Sequence, residues 1–209
     1  MLLCKQITAI LSNQDIKVIS SLDDQDHFQS TLTRLLEPRV VGTQGWKNVQ
    51  NFIQTEMESL GMTVELDSFQ DTTPIFGNMN FVNIIGKVNP KADKFLTLAC
   101  HYDSKYFKDQ VFVGATDSSV PCSIMLNIVK TTMPLIRKLT DGKNLGLMLL
   151  FFDGEEAFQE WSDTDSLYGS RHLAQKWEKT GYKNGREIDR IVSVAYLFKT
   201  LVLLFFEFQ

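Results

Sequence analysis

Three short clusters of polar residues contain the side chains that could do chemistry. They are His101-Tyr102-Asp103, Asp117 in the stretch Gly-Ala-Thr-Asp-Ser-Ser, and Glu155-Glu156. Two neighbouring carboxylates repel each other, and a cation between them and Asp117 would relieve that repulsion. Adjacent residues near the end of a strand point in different directions, so one glutamate can bind a metal while the other faces a substrate. A catalytic zinc ion needs three protein ligands and one open position.

Each cluster also has a purely structural interpretation. Asp117 precedes two serines and could cap a helix, and the two glutamates could be solvated loop charges. His101 could be a hydrogen-bonded structural histidine. Carboxylates that directly follow buried strands are costly unless they are paired, hydrogen-bonded or bound to a metal. Taken together, the three clusters favour a metal site over three unrelated structural roles.

The elements that must position these clusters follow from the apolar pattern. Residues 95–100 and 145–152 are apolar on both faces, which is typical of strands covered on both sides by helices. Alternation predicts further strands, and helical periodicity predicts helices between them. The strands are expected over residues 63–69 and 81–88, and the helices over 24–36, 46–60, from Ser118 or Ser119 to about 132, and 166–179. The result is an α/β sandwich with its polar clusters at strand ends, where open α/β sheets bind ligands.

Composition and the two terminal sequences argue against nucleic-acid binding, a signal peptide and a clear membrane span. A chain of 209 residues with a formal net charge of −4 and no Lys/Arg cluster is not expected to bind nucleic acid. Residues 1–11 lack the basic start and long apolar centre of a signal peptide, and a solvent-touching first helix is expected there instead. Residues 191–209 are mostly apolar but are interrupted by Lys199 and Thr200, so they make only a marginal membrane span.

Long sequence blocks surround the three clusters, at residues 99–107, 112–122 and 151–158, with Trp161 and residues 165–172 beyond them. These blocks resemble the signature blocks of animal glutaminyl cyclases. The resemblance implies a zinc aminopeptidase-like fold, with a mixed sheet between helices that is incomplete at the C-terminus. It divides the chain into an N-terminal segment (1–24), a cyclase-like domain (25–192) and a divergent apolar tail (193–209).

Activity and residue roles are carried over by the same resemblance. It implies an acyltransferase that converts the N-terminal glutamine of peptides into pyroglutamate and releases ammonia. Glu155 would be the general acid/base and Trp161 a wall of the substrate pocket, while Asp117 and Glu156 would bind the single zinc ion. His101 and Asp103 could contact these residues and hold them in place without binding the metal themselves. Cys100 and Cys122 match a cysteine pair that is disulfide-bonded in secreted relatives, which implies the secretory pathway.

One expected part is missing. Members of the family take a third zinc ligand, a histidine, from a later portion of the chain, and none of the three histidines here (His27, His101 and His172) matches it. Two alternatives therefore stay open. One is an inactive truncated form, and the other is a zinc aminopeptidase in which His101 joins the metal ligands. Peptides are the expected partners, and a monomer is the expected state.

Overall fold

The computed structural model describes residues 13–180 and 204–205, and every structural statement below refers to them. The helices are α1 (Asn13–Ser20), α2 (Gln25–Leu35), α3 (Gln44–Ser59), α4 (Val120–Thr140) and α5 (Tyr168–Thr180). The strands are β1 (Thr63–Thr73), β2 (Gly77–Val88), β3 (Lys94–His101), β4 (Leu145–Phe152) and the two-residue β5 (Leu204–Phe205). One irregular helical turn, Ala115–Ser119, leads directly into α4.

The strands form one sheet in the order β1-β2-β4-β3-β5. β2 runs antiparallel to both β1 and β4, whereas β3 and β4 run parallel, with His101 beside Phe152 at their ends. The short β5 is antiparallel to β3. The prediction of a mixed sheet is therefore confirmed.

Successive residues of β4 face two separate apolar layers, because side chains alternate across a strand. Leu147, Leu149 and Phe151 belong to the larger core cluster, which also contains buried residues of α2, α3 and α4. Met148, Leu150 and Phe152 belong to the second cluster, with Leu173 and Trp177 of α5. Full burial of one such side chain stabilises the fold by roughly 2 kcal/mol. The continuous apolar runs thus mark strands covered on both sides, as the sequence predicted.

α3 shows how local sequence fixes an element. Thr43 caps its N-terminus by accepting a hydrogen bond from the Trp46 N–H, and Val49, Ile53 and Met57 are buried on one face. Gly61, at φ +80°, follows the end of the helix, where a left-handed residue is common. The predicted helix at 46–60 differs from the observed one by one or two residues.

The prediction for α4 was too short. The helix continues to Thr140 although Pro134 lies inside it, whereas the sequence indicated an end near residue 132. Proline removes one backbone donor and disfavours the helix locally. Met133 and Ile136, on either side of Pro134, pack against the core cluster, and this contact offsets the local cost.

Residues 115–140 are the one helical segment in the described ranges that is long and apolar enough to cross a membrane by length and composition. Met125, Leu126 and Val129 of this segment are fully buried in the core cluster, as in a core helix of a globular domain. The predictions for residues 1–11 and for most of the tail at 193–209 fall outside the described residues. The domain boundaries stay a prediction.

Candidate active site

The two parallel strands bring two of the polar clusters to one edge of the sheet. β3 ends at His101 and β4 at Phe152, which are register partners, and the Tyr102 N–H donates to the Phe152 carbonyl at 3.0 Å. The segment that continues from β4 turns sharply at Gly154, where φ is +58°. A Cβ atom at Gly154 would lie 2.5 Å from the Phe81 ring, so glycine is required at this turn.

Asp103 fixes the backbone of the two glutamates. Its Oδ1 accepts the Glu155 N–H at 3.0 Å and its Oδ2 accepts the Glu156 N–H at 3.1 Å. The carboxylate is buried. Burial alone would raise the pKa of Asp103, but the hydrogen bond and charge of His101, with the two backbone N–H groups, lower it below its usual value. Asp103 is therefore a buried, ionised carboxylate that holds the backbone of both glutamates in place.

His101 connects three of the carboxylates. Its Nδ1 lies 3.2 Å from Asp103 Oδ1, and its Nε2 lies 2.9 Å from Asp117 Oδ1 and 3.9 Å from Glu155 Oε2. Burial would lower the pKa of the imidazole, but the hydrogen bonds to Asp103 and Asp117 outweigh it and raise the pKa to about 10. The Ser118 hydroxyl donates to the His101 carbonyl, which joins β3 to the turn carrying Asp117. The Asp117–Ser118 peptide bond in this turn is cis.

The two glutamates differ in their surroundings. Burial raises the pKa of Glu155 to about 7; the charge of His101 opposes this shift, while Asp103, Glu156 and Asp117 add to it. Burial also raises the pKa of Glu156, and Asp103 adds to the shift. The Lys105 ammonium lies 3.6 Å from Glu156 Oε2 and donates to the Ala157 carbonyl at 3.0 Å. A carboxylate whose pKa lies near neutrality can both accept and release a proton at the pH of its surroundings.

A buried arginine behind the cluster was not predicted from the sequence. The Arg39 side chain is buried and donates to the carbonyls of Leu35 at 3.2 Å and Gly114 at 3.0 Å, and also to that of Val113. Burial lowers the pKa of the guanidinium to about 10, against the opposing charges of Asp103 and Asp117. Its charge partly balances the acidic cluster. Arg39 lies 64 residues or more before these carboxylates in the chain and carries no motif, so no sequence signal could have found it.

Asp153 begins the polar cluster that contains Glu155 and Glu156, but the sequence predicted no role in the site for this buried carboxylate. It accepts hydrogen bonds from Trp46 Nε1 at 2.9 Å, from the Val82 N–H at 2.8 Å and from the Gly154 N–H at 3.0 Å. Burial raises the pKa of Asp153 well above its usual value. The residue ties α3 and β2 to the segment that leads into the glutamates.

The predicted disulfide is confirmed. Cys100 of β3 is bonded to Cys122 in the first turn of α4, with a Cα–Cα distance of 5.8 Å. The bond joins the strand that ends at His101 to the helix that follows Asp117. Cys4 lies outside the described residues.

The predicted residues are not all brought together. His101, Asp103, Asp117, Glu155 and Glu156 share one cluster, and Asp117 is its most open member, with 38% of the side chain exposed. Trp161 lies on the loop after β4 with 55% of its surface exposed, and in the described residues no hydrogen bond or ring contact joins it to the carboxylates.

The other two histidines are structural. His27 Nδ1 lies 2.9 Å from Asn127 Oδ1, and its Nε2 lies 2.9 Å from Glu56 Oε1, so it links three helices. His172 stacks on Phe69 with a centroid separation of 4.0 Å. Across residues 13–180 and 204–205, no group of three or more His, Cys, Asp or Glu side chains is arranged to hold a metal ion.

Comparisons of the sequence with protein families and with individual proteins both find relatives of this chain. Peptidase family M28 matches residues 83–197. The glutaminyl-peptide cyclotransferase of Drosophila melanogaster is 46% identical over 178 residues, which cover 85% of this chain and 49% of that protein. The enzyme of the same name from Bothrops jararaca is 44% identical, covering 81% of this chain and 49% of its own length. The chain spans about half the length of these curated relatives.

Solved structures agree with the sequence relatives. The crystal structure of Macrostomum lignano glutaminyl cyclase has a TM-score of 0.74 and 37% identity, over 84% of this chain and 51% of that one. A Zn-dependent exopeptidase from Parabacteroides distasonis, at 21% identity and a TM-score of 0.63 over 77% of this chain and 57% of its own, shares the fold. The zinc aminopeptidase-like fold is thereby confirmed. This chain belongs to peptidase family M28 and is a homologue of the glutaminyl-peptide cyclotransferases.

Proposed function

We propose that this protein is a glutaminyl-peptide cyclotransferase, which converts the N-terminal glutamine of a peptide into pyroglutamate with release of ammonia. The observation that carries the proposal is Glu155, a buried carboxylate 3.9 Å from His101 Nε2 with a pKa of about 7, in a homologue of these enzymes. The nucleophile in this reaction is the substrate's own α-amino group. The site therefore needs a proton carrier and no serine or cysteine nucleophile.

Glu155 is the proposed proton carrier. The α-amino nitrogen attacks the side-chain amide carbon of the glutamine, and a carbon–nitrogen bond forms as the ring closes. Glu155 accepts the proton that the α-amine loses and passes it to the amide nitrogen, which leaves as ammonia when its bond to carbon breaks. General acid–base catalysis of this kind contributes about 10²- to 10⁴-fold to the rate.

Asp117 and Glu156 are the proposed zinc ligands. Both are oxygen donors, and burial together with neighbouring acids raises the pKa of Glu156, as expected where a cation is needed to balance charge. Two ligands do not complete a catalytic zinc site, so the proposal requires a third from outside the described residues. Bound zinc would polarise the amide carbonyl and stabilise the developing negative charge.

Supporting roles are proposed for His101, Asp103 and Trp161. Asp103 holds the backbone of both glutamates, and His101 orients Asp117 through the 2.9 Å contact. Trp161 follows the glutamates by a few residues and is half-exposed, as a side chain must be to form a wall of an open substrate pocket.

The zinc aminopeptidase alternative gives His101 a different role. There the imidazole would bind the metal directly through Nε2, which faces Asp117, while Nδ1 is held by Asp103. The relatives at 44–46% identity are glutaminyl-peptide cyclotransferases, and this favours the cyclase over the peptidase.

We also propose the substrates, the oligomeric state and the compartment of this protein. The substrates would be peptides or proteins that begin with glutamine, acted on by a monomer. The Cys100–Cys122 disulfide supports an oxidising compartment, and therefore the secretory pathway.

The test is to incubate the protein and zinc with a short peptide that begins with glutamine and to follow products by mass spectrometry and an ammonia assay. Loss of one ammonia from an otherwise intact peptide is expected, and Glu155→Gln should lower the rate about 100-fold or more. Glu160→Gln, an exposed glutamate on the same loop, is the matched control. Free glutamine as the product would establish a peptidase, and no product would favour the inactive form.

A further inference from the structure

A buried carboxylate, Asp165, holds the backbone of the loop just before Trp161. Asp165 Oδ1 accepts the Phe158 N–H at 2.9 Å, and its Oδ2 accepts those of Gln159 at 2.8 Å and Glu160 at 2.9 Å. The Tyr168 hydroxyl donates to Oδ1 at 2.8 Å. Three successive backbone donors thus converge on one side chain immediately before Trp161.

The same turn is closed on the other side of Trp161. The Asp165 N–H donates to Ser162 Oγ at 3.1 Å, and the Ser166 hydroxyl donates to the Ser162 carbonyl at 2.7 Å. Trp161 therefore lies between two sets of hydrogen bonds that both include residue 165. Its own side chain is half-exposed, so its position depends strongly on the backbone on either side.

The far end of the loop is bonded to the glutamate segment. The Leu167 N–H donates to the Glu155 carbonyl at 3.0 Å, and the Tyr168 N–H donates to the Gly154 carbonyl at 2.8 Å. These bonds fix the loop at residues 167 and 168. Within residues 13–180, the hydrogen bonds that residues 159–162 make are those with Asp165 and Ser166.

We propose that Asp165 is a positioning residue that sets Trp161 relative to Glu155 and Glu156, and so shapes the pocket for the substrate's N-terminal glutamine. The role of Trp161 as a pocket wall rests on the proposed function. Four donors require two acceptor oxygens, which a carboxylate supplies and an amide does not. Burial would raise the pKa of Asp165, but the backbone N–H groups and the Tyr168 hydroxyl lower it, so the carboxylate is ionised at neutral pH.

Iodide quenching of tryptophan fluorescence tests the position of Trp161 without any need for activity. Trp161 is 55% exposed, whereas Trp46 and Trp177 are each 9% exposed, so the quenchable emission comes mainly from Trp161. Asp165→Asn should raise the quenching constant about twofold and lower the anisotropy of the quenchable emission. Asp163→Asn removes an equal charge from an exposed position two residues away and should change neither.

Hydrogen–deuterium exchange of the peptide that spans residues 158–161 gives a second readout. Gln159 and Glu160 are exposed, and their N–H groups would exchange fast without an acceptor. Asp165→Asn should speed their exchange about tenfold or more, because an amide nitrogen in place of Oδ2 cannot accept the Gln159 and Glu160 N–H groups. If Asp165→Asn fails to fold, Tyr168→Phe, which deletes one of the four bonds, should give a smaller change in the same direction.

Steady-state kinetics separate this role from a general structural one. If the wild type is a cyclase, Asp165→Asn should raise KM for the glutamine peptide about tenfold with kcat within about twofold, the pattern of lost binding. An equal loss in kcat would overturn the pocket role. Unchanged quenching and unchanged exchange would overturn the positioning itself, whether or not the wild type makes pyroglutamate. A wild type without product, but with the expected quenching shift, would reject the proposed function alone.

Discussion

Asp103 accepts three of the hydrogen bonds that hold the site together. Its carboxylate accepts the N–H groups of Glu155 and Glu156 and contacts the His101 imidazole, all away from solvent. In Asp103→Asn one oxygen becomes an amino group, which cannot accept a hydrogen bond and faces a backbone donor. We expect the free energy of unfolding to fall by about 3 kcal/mol, because a buried donor is left without a partner and a charged hydrogen bond is lost.

Urea denaturation followed by far-ultraviolet circular dichroism measures this difference. Asp109→Asn removes the same charge from an exposed position six residues away and should change the unfolding free energy by less than about 0.5 kcal/mol. Equal stability of the two variants would show that Asp103 does not hold the glutamate segment.

Residue identity alone was enough to find the acids but not the groups that hold them. His101, Asp103, Asp117, Glu155 and Glu156 stand out in the sequence because polar clusters follow apolar runs. Arg39 does not stand out, since it works through backbone groups of another segment. Arg39 reaches carbonyls more than 70 residues away, and only the folded backbone brings donor and acceptor together.

At the scale of elements, a buried hydrogen bond from Trp46 joins α3 to the strand end that leads into the site. The indole N–H of Trp46 donates to buried Asp153, which also accepts the N–H groups of Val82 and Gly154. Trp46→Phe keeps an aromatic ring but removes the donor. We expect the free energy of unfolding to fall by about 2 kcal/mol, because the buried Asp153 side chain loses one hydrogen bond and the smaller ring leaves a cavity.

Thermal and urea unfolding of Trp46→Phe should be compared with Trp161→Phe. Trp161 is half-exposed, so its replacement should leave the free energy of unfolding within about 0.5 kcal/mol of the wild type. A Trp46→Phe protein as stable as this control would contradict the proposed link between α3 and the strand end.

Element type was predictable where periodicity was strong, and boundaries were not. The fully apolar runs predicted the adjacent strands β3 and β4, and the one-sided pattern of α3 predicted its helix. α4 was underestimated because proline is a strong local signal against a helix, whereas the tertiary contacts of Met133 and Ile136 cannot be read from the local sequence.

At the scale of the whole molecule, the sheet separates two apolar layers and carries its charges at one edge. Asp103, Asp117, Glu155 and Glu156 lie close together there, balanced within the described residues mainly by His101, Arg39 and Lys105. Burial and mutual repulsion raise the pKa of both glutamates, so the folded state carries an electrostatic cost at this edge. A divalent cation that binds the native state would remove part of that cost.

Zinc should therefore stabilise the whole fold through this edge. A ligand that binds only the native state at a free concentration of 100 times its Kd adds about 2.7 kcal/mol to the free energy of unfolding. We expect a zinc-dependent rise in the urea midpoint of the wild type and no rise in Asp117→Ala/Glu156→Ala, because two proposed oxygen ligands are then absent.

The matched control for the zinc experiment is Glu160→Ala/Asp163→Ala. It removes the same two negative charges from the exposed loop beyond the site, and its zinc response should equal that of the wild type. Metal content after gel filtration gives an independent measure of binding. An equal rise in the midpoint of both double variants would mean that zinc acts elsewhere on the surface, and Asp117 and Glu156 would no longer be candidate ligands.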